Sequence, residues 1–310
     1  MTGRTAPRRS RSATATTRLT IAAFLLPALV LYAVFVLLPV VQAMRYSLYK
    51  WNGLTPLTDF VGLQNYVTAF SNDAFTTAVG NNLLIIVLSL TLQIPFSLAL
   101  ALMLNGRFPG RAMFRLLFFL PYVLSEAVTG IVFTRLLQPD SVVDSTLTNL
   151  GLEGLIQDWL GDSGLVMFTL FVIISWKYFG FHMIIMLAGL QGIPHEVQEA
   201  ARIDGAGRRE VLRHITLPLL GPTIRVSIFL SIIGALQLFD MVWVMTAGGP
   251  VNASSTMAIA MFKAGFKSTQ FGYGSALAVI LFLACLAFAL LYQRYALRRD
   301  TEGAVTAYGG

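Results

Sequence analysis

Charged residues are scarce in this chain of 310 residues, since Asp, Glu, Lys and Arg make up only 12% of it, against about 25% in an ordinary globular domain. Cys285 is the only cysteine, which excludes an intramolecular disulfide and a cysteine-rich metal site. The few histidines lack ligand spacing, so no metal site is expected. A hydrophobic share of 56% excludes a disordered chain. The net charge of +7 does not indicate nucleic-acid binding, because such proteins carry their charge on a polar surface. A membrane protein with several spans remains.

Six apolar segments are long enough to cross a bilayer as helices, which takes about 20 residues each. They lack the alternation that barrel strands show. The first is too long for a signal peptide and has no convincing cleavage site, so we expect it to be retained. The predicted fold class is therefore all-α, a polytopic membrane protein with six transmembrane helices in a domain over 21–297. The predicted spans are 21–44, 78–104, 116–137, 165–193, 219–245 and 274–292.

The distribution of Lys and Arg predicts the side of the membrane on which each loop lies, because cytoplasmic loops are enriched in both residues. One set of loops holds only Arg45, Lys50, Lys263 and Lys267 and is predicted to lie outside. Both termini are predicted to be cytoplasmic, with a disordered head, 1–20, and a tail, 298–310. The basic residues on that side are Arg4, Arg8, Arg9, Arg11, Arg18, Arg107, Arg111, Arg115, Arg202, Arg208, Arg209, Arg213, Arg294, Arg298 and Arg299.

The cytoplasmic loop between the fourth and fifth spans, 194–218, is too long for a simple connector and its pattern predicts two short helices. Pro194 suits the start of the first helix, and Gly205 suits its end. The pattern alone leaves two interpretations equally open: an amphipathic elbow on the lipid headgroups, or a docking element for a cytoplasmic protein. Mostly small residues share one face of the first helix, namely Val197, Ala200, Ala201 and Asp204.

A spaced motif in this loop resembles the EAA loop of ABC importer permeases. The motif is Glu199-Ala200-Ala201-Arg202-Ile203-Asp204-Gly205-Ala206, followed by Ile215-Thr216-Leu217-Pro218. Other segments that look like the family's are 60–66, 239–240, 244–250 and 271–276. The resemblance covers roughly residues 20–297 and is strongest to the sugar-type permeases, among them to the first member of the usual pair.

The resemblance implies a type I importer. In such an importer two permeases form the path, two ATPases bind below them, and an extracytoplasmic solute-binding protein delivers the solute. ATP and Mg are then expected on the ATPases, with no cofactor and no enzymatic activity on this chain. Leu212 departs from the family, since many relatives have an aromatic residue there. The residues expected to couple to the ATPase are Glu199, Ala200, Ala201, Asp204, Gly205, Ile215, Leu217 and Pro218.

The chain itself lacks a phosphate-binding loop, which would need the pattern G-x-x-x-x-G-K-[ST]. The nearest sequence is Phe266-Lys267-Ser268, where Phe266 and Met261 stand in place of the two glycines. The energy for transport is therefore expected to come from another polypeptide.

Ionisable and aromatic residues inside the spans are the candidates for a solute path, because a charge within the bilayer is costly and is usually functional. Glu126 and Lys177 lie nearest mid-span, and three roles are open: pairing with each other, holding the partner permease, or contacting solute. We expect His182 to be an interior histidine rather than a ligand, and Asp240 to be a structural or gating residue. The candidate path residues are Glu126, Trp176, Lys177, Tyr178, His182, Gln237 and Asp240.

The expected function is import of a mono- or oligosaccharide across a bacterial cytoplasmic membrane. Few positive charges lie in the predicted path, which disfavours glycerol 3-phosphate or a similar polyol, the first alternative. An ion-coupled secondary transporter is an alternative of a different class, but it would show internal repeats that the two halves of this chain lack. A third alternative is a membrane scaffold without transport activity.

Overall fold

The computed structural model describes residues 11–106 and 108–297. The predicted tail, 298–310, and the first half of the predicted head, 1–10, lie outside the described residues. Within the described ranges the chain is all-α, as predicted, apart from an isolated bridge between Tyr49 and Phe60. The helices are α1 (Thr20–Tyr46), α2 (Gln64–Ser71), α3 (Asp73–Asn105), α4 (Arg111–Val123), α5 (Glu126–Leu136), α6 (Val142–Asn149), α7 (Val166–Gln191), α8 (His195–Ile203), α9 (Arg208–Leu236), α10 (Asp240–Thr246), α11 (Met257–Phe262) and α12 (Phe271–Ala296).

Five of these helices are long and apolar enough to cross a membrane, namely α1, α3, α7, α9 and α12. The pair α4 and α5 passes the same test together but bends by 93° between the two helices. Counting the pair as one broken span gives six, which agrees with the predicted fold class.

The helix ends differ from the predicted spans in three places. The helical run of α1 already begins at Arg11, so residues 11–20 of the predicted disordered head are helical. The predicted span 116–137 is broken, because Leu124 and Ser125 between α4 and α5 are extended, with ψ of 142° and 140°. The predicted span 219–245 ends early, because α9 stops at Leu236 and α10 begins as a separate short helix.

Proline explains three π-helical turns that interrupt the long helices. The turns Ala33–Leu37, Ser89–Gln93 and Leu212–Thr216 each end two residues before a proline. Proline has no N–H and its ring collides with the carbonyl of the residue four positions earlier. A wider turn before the proline accommodates that collision, so the helix continues rather than stops.

The helix α7 is the centre of the fold, since it packs against α3, α4 and α9. Two apolar clusters form along these helices. The first contains Ile85, Leu170, Ile174, Ala235 and Met241. The second contains Ile94, Met183, Met186, Leu190 and Leu220. By contrast no residue of α1 is fully buried within this chain, although its C-terminal part, Leu38–Tyr46, packs against α12. Most of its apolar surface is therefore left to lipid or to another subunit.

Candidate functional site

A cavity of about 310 Å³ lies where the polar residues of α3, α7 and α9 separate the first apolar cluster from the second. The starts of α5 and α10 complete its wall. Its volume falls at the lower end of the range for small-molecule sites, about 300–1,000 Å³. The polar and aromatic residues that line it are Ser89, Gln93, Tyr122, Glu126, Tyr178, Phe181, His182, Ser231, Gln237, Phe239 and Asp240.

The π-helical turn of α3 places two of the polar residues in this wall. Ser89 and Gln93 are the first and last residues of that turn, and both are buried. Pro95 follows, and the N–H that it lacks is the one an α-helix would bond to the carbonyl of Thr91. Turns of this kind occur frequently at functional sites.

The two carboxylates of the cavity occupy equivalent places in the fold. Glu126 is the first residue of α5, and Asp240 is the first residue of α10. Each follows a break in an apolar helix, and a helix N-terminus favours a negative charge. The Tyr178 hydroxyl donates a hydrogen bond to the Glu126 carboxylate, which ties α5 to α7.

Aromatic rings form one corner of the cavity. The rings of Tyr122 and Phe181 stack at 4.7 Å with 18° between their planes, and the edge of Tyr178 meets Tyr122 at 5.8 Å. His182 is buried beside them, and among the described residues its Nδ1 has no hydrogen-bond partner. The wall therefore combines ring faces, carboxylates and an unpaired ring nitrogen.

The structure brings most of the predicted path residues together, since Glu126, Tyr178, His182, Gln237 and Asp240 all line the cavity. They come from four separate helices or the turns beside them, so only folding unites them. The two remaining residues, Trp176 and Lys177, lie elsewhere.

Trp176 and Lys177 do not line the cavity. Trp176 lies on another face of α7, where it is 37% exposed and packs edge-on against Phe133 at 5.2 Å. Lys177 is 2% exposed, and its ammonium group donates to the carbonyl oxygens of Pro121, Tyr122 and Leu124. Of the three roles open to Glu126 and Lys177, mutual pairing is therefore not the arrangement observed.

The break between α9 and α10 is held by Asn82 of α3, which is fully buried. Its amide nitrogen donates to the carbonyl oxygen of Ala235 at 2.6 Å, and its amide oxygen accepts from the backbone N–H of Met257 at 2.9 Å. The Thr256 hydroxyl donates to the Leu238 carbonyl oxygen at 2.7 Å. These contacts satisfy the end of α9 and the start of α11 together.

The predicted coupling motif forms an exposed helix, α8, none of whose residues is buried. Its surface carries Val197, 43% exposed, and Ile203, 85% exposed. Gly205 ends the helix with φ of +90°. The Gly205 N–H donates to the Arg202 carbonyl oxygen and the Ala206 N–H to that of Ala201, the hydrogen bonds of a Schellman motif.

The rest of the predicted coupling residues lie on α9 or along α8. Glu199, Ala200 and Asp204 are exposed and Ala201 is half-buried. The second short helix predicted for the loop is the start of α9, which runs unbroken through the π-helical turn into the span. On α9, Ile215 and Leu217 are half-buried and Pro218 is exposed. Residues 204–207 alone thus separate α8 from the long apolar helix α9.

Residues 93–301 match the family described as binding-protein-dependent transport system inner membrane component, which is more than half of the chain. The chain belongs to this family. The matched range begins at Gln93, a residue of the cavity wall, and holds the exposed helix α8.

Named relatives of this inner membrane component cover nearly its full length. The multiple sugar-binding transport system permease protein MsmF of Streptococcus mutans is 33% identical, over 84% of this chain and 89% of its own. The lactose transport system permease protein LacF of Rhizobium radiobacter is 33% identical, over 87% and 92%. A solved bacterial ABC transporter that imports the acidic polysaccharide alginate has the same fold, with TM-score 0.81 and 23% identity over 93% of this chain and 99% of that one.

Two features of this inner membrane component were not predicted from the sequence. Ser89 and Ser231 line the cavity but look like ordinary small residues in an apolar run. Pro95 was the available signal for Ser89, because a proline inside a span implies a modified turn before it. No local signal marks Thr256, because the carbonyl it binds is 18 residues away.

Proposed function

We propose that this chain is the membrane-spanning subunit of a binding-protein-dependent importer that translocates a neutral mono- or oligosaccharide. The cavity carries the proposal, because its wall joins the stacked rings of Tyr122 and Phe181 to polar groups such as Gln93 and His182. Ring faces suit the apolar faces of a sugar, and a few placed polar groups orient its hydroxyls. The names of the relatives MsmF and LacF, with multiple sugars and lactose, support this solute class.

The charge of the cavity favours a neutral solute over a phosphorylated polyol. Glu126 and Asp240 are both acidic, and no Lys or Arg is among the described residues that line the cavity. A phosphate about 4 Å from either carboxylate is repelled by about 4 kcal/mol at an effective dielectric constant of about 20. Glycerol 3-phosphate is therefore the less favoured alternative. The solved alginate transporter shares only the fold at 23% identity, so its acidic solute does not transfer to this chain.

The energy is proposed to come from two ATPase subunits that bind ATP and Mg²⁺, with no cofactor and no metal on this chain. Support comes from α8, whose exposed Val197, Ala200 and Ile203 offer an apolar surface beside the carboxylate of Glu199. Closure of the ATPases would move α8 and, through Gly205, the cytoplasmic end of α9. Motion of one helix bundle against another is how alternating access is achieved.

A second, homologous permease subunit and an extracytoplasmic solute-binding protein are proposed as the remaining partners. α1 supports the former, because most of its apolar surface is not buried within this chain and is left for lipid or a partner. The description of the family supports the latter. We place the complex in a bacterial cytoplasmic membrane with both termini of this chain cytoplasmic, on the strength of the Lys and Arg distribution. An ion-coupled secondary transporter has no such need for a binding protein and is disfavoured.

Uptake in cells that lack this chain tests the solute class. Wild-type chain should restore uptake of one or more neutral sugars from a labelled panel, and not uptake of labelled glycerol 3-phosphate. The double variant Glu126→Gln with Asp240→Asn should lower sugar uptake and weaken the discrimination against the phosphate. Glu153→Gln, a matched change on an exposed residue outside the cavity, should leave both unchanged. Restored uptake of glycerol 3-phosphate alone would contradict the proposal.

A further inference from the structure

The carbonyl end of α4 lies partly buried against α7, where a single lysine contacts it. The Lys177 ammonium group lies 3.3 Å from the Pro121 carbonyl oxygen and 3.4 Å from that of Tyr122, and it also donates to the Leu124 carbonyl oxygen. The last four carbonyls of a helix lack the partner that a further turn would supply. Of those named here, the Pro121 carbonyl oxygen also accepts from the Leu124 backbone N–H at 3.3 Å. In a membrane each unsatisfied group costs several kcal/mol. Lys177 therefore supplies what water would supply in a soluble protein.

Close approach of α4 and α7 makes this contact possible. Gly180 lies three residues after Lys177, and a Cβ at Gly180 would collide with the Phe118 carbonyl oxygen on α4. The absence of a side chain there lets the two backbones touch. The Lys177 stem is thereby buried, while its charge sits at the negative end of the α4 dipole.

Two consecutive residues of α7 hold the two sides of the break. Lys177 binds the end of α4, whereas Tyr178 donates to Glu126 at the start of α5. Only Tyr178 and Glu126 of these three line the cavity. Both sides of the 93° bend between α4 and α5 thus contact one turn of a neighbouring, unbroken helix.

We propose that Lys177 is a positioning residue for the cavity: by binding the carbonyl end of α4 it sets the bend of the broken span and hence the place of the Glu126 carboxylate. The importance of this role for transport rests on the proposed function, in which the cavity is the solute path. The structural part of the proposal is that loss of the Lys177 donor moves Glu126, and this can be tested without knowing the solute. A lysine that only stabilised the membrane domain would change its amount but not its geometry.

The test uses the assembled transporter in native membrane vesicles, with Cys285→Ser as background. Spin labels at Leu117→Cys and Ile131→Cys, both exposed positions, report the distance between α4 and α5. In a separate chain, Glu126→Cys is modified with a neutral methanethiosulfonate, whose rate reports where residue 126 stands without attraction or repulsion of the reagent by the charge at residue 177. Each is measured with wild-type Lys177, with Lys177→Met, and with Lys177→Gln, which keeps a neutral donor. Lys267→Met, at an exposed lysine, is the matched control.

We expect Lys177→Met to shift or broaden the label distance and to change the modification rate by about tenfold, within the range seen for directly coupled residues. Lys177→Gln should give a smaller change, and Lys267→Met none. A Lys177→Met transporter with wild-type distance and rate would overturn the proposal. If Lys177→Met does not accumulate, Lys177→Leu, which also lacks a donor, takes its place, and wild-type distance and rate in that variant overturn the proposal equally. If instead the proposed solute class is wrong, the wild-type transporter will take up no sugar, whatever the Lys177 variants show.

Discussion

Single buried side chains, rather than local sequence, satisfy the helix ends inside this membrane domain. Asn82 meets the end of α9 and the start of α11, and Lys177 meets the end of α4. Arg115 of α4 in turn donates to the Leu104 carbonyl oxygen near the end of α3 at 2.9 Å. Because a bilayer offers no water to exposed backbone groups, each such residue makes a break or a turn possible.

Asn82→Leu tests this at the residue scale. Leu has a similar size but leaves the Ala235 carbonyl and the Met257 N–H without the partners they have now. Leaving one buried polar group unsatisfied costs about 1–3 kcal/mol, so we expect the two groups together to lower the free energy of unfolding by about 2–6 kcal/mol. Thermal unfolding of purified chain in detergent would measure it as a lower midpoint temperature. Asn149→Leu, at an exposed asparagine, should leave the midpoint unchanged, and an unchanged midpoint in Asn82→Leu would contradict the account.

At the scale of elements, the sequence was sufficient for the long helices and insufficient for the breaks. Apolar length alone predicts α3, α7 and α12 closely. The run from Leu219 to Met245 stays apolar apart from Arg225, Gln237 and Asp240. Gln237 and Asp240 stand directly after Leu236, but they were interpreted as path residues and not as a sign that α9 ends there. That end depends on Asn82, whose partner at Ala235 is 153 residues away in sequence. Composition cannot reveal a contact of this kind.

For the cavity too, the sequence pattern indicated candidate residues but not the contacts that each of them makes. Tyr178 and Lys177 are neighbours in sequence, and both were predicted to line the solute path. In the structure only Tyr178 lines the cavity. Successive residues on a helix point about 100° apart, so one turn of α7 serves both the cavity and the end of α4. Without the position of α4, no property of Lys177 itself distinguishes the two roles.

The turn that joins α8 to α9 gives a prediction at this scale. Gly205→Val places a β-branched residue at φ of +90°, although open space surrounds the position. A residue other than glycine in this conformation costs about 1–2 kcal/mol, so we expect the turn to change shape and α8 to lose its alignment. Sugar uptake should fall at least severalfold while the amount of chain in the membrane stays normal. Gly207→Val, at φ of −71°, is the matched control.

Normal uptake by a Gly205→Val chain that is fully inserted would show that this turn does not transmit force. Equal losses in Gly205→Val and Gly207→Val would point to a surface effect rather than to backbone conformation.

At the scale of the whole molecule, the positive charge of the chain indicates which loops lie on which side of the membrane. The excess of +7 does not mark a nucleic-acid surface. It lies mostly on the side that includes α8 and both termini, and we read that side as cytoplasmic.

Orientation is tested by labelling single cysteines in a Cys285→Ser background. Ile203→Cys on α8 and Ser145→Cys on α6 are both exposed positions. We expect a membrane-impermeant maleimide to label Ser145→Cys in intact cells and Ile203→Cys only after the membrane is opened. The reverse pattern would contradict the cytoplasmic placement of α8 and with it the proposed ATPase contact.

The most direct test of the central claim is sugar uptake by purified transporter in sealed vesicles. The complex of this chain with its partner permease and ATPases is reconstituted, with the solute-binding protein outside. We predict accumulation of a labelled neutral sugar only when ATP and Mg²⁺ are inside, and no accumulation driven by a proton or sodium gradient alone. Uptake that follows an ion gradient and ignores ATP would contradict the account.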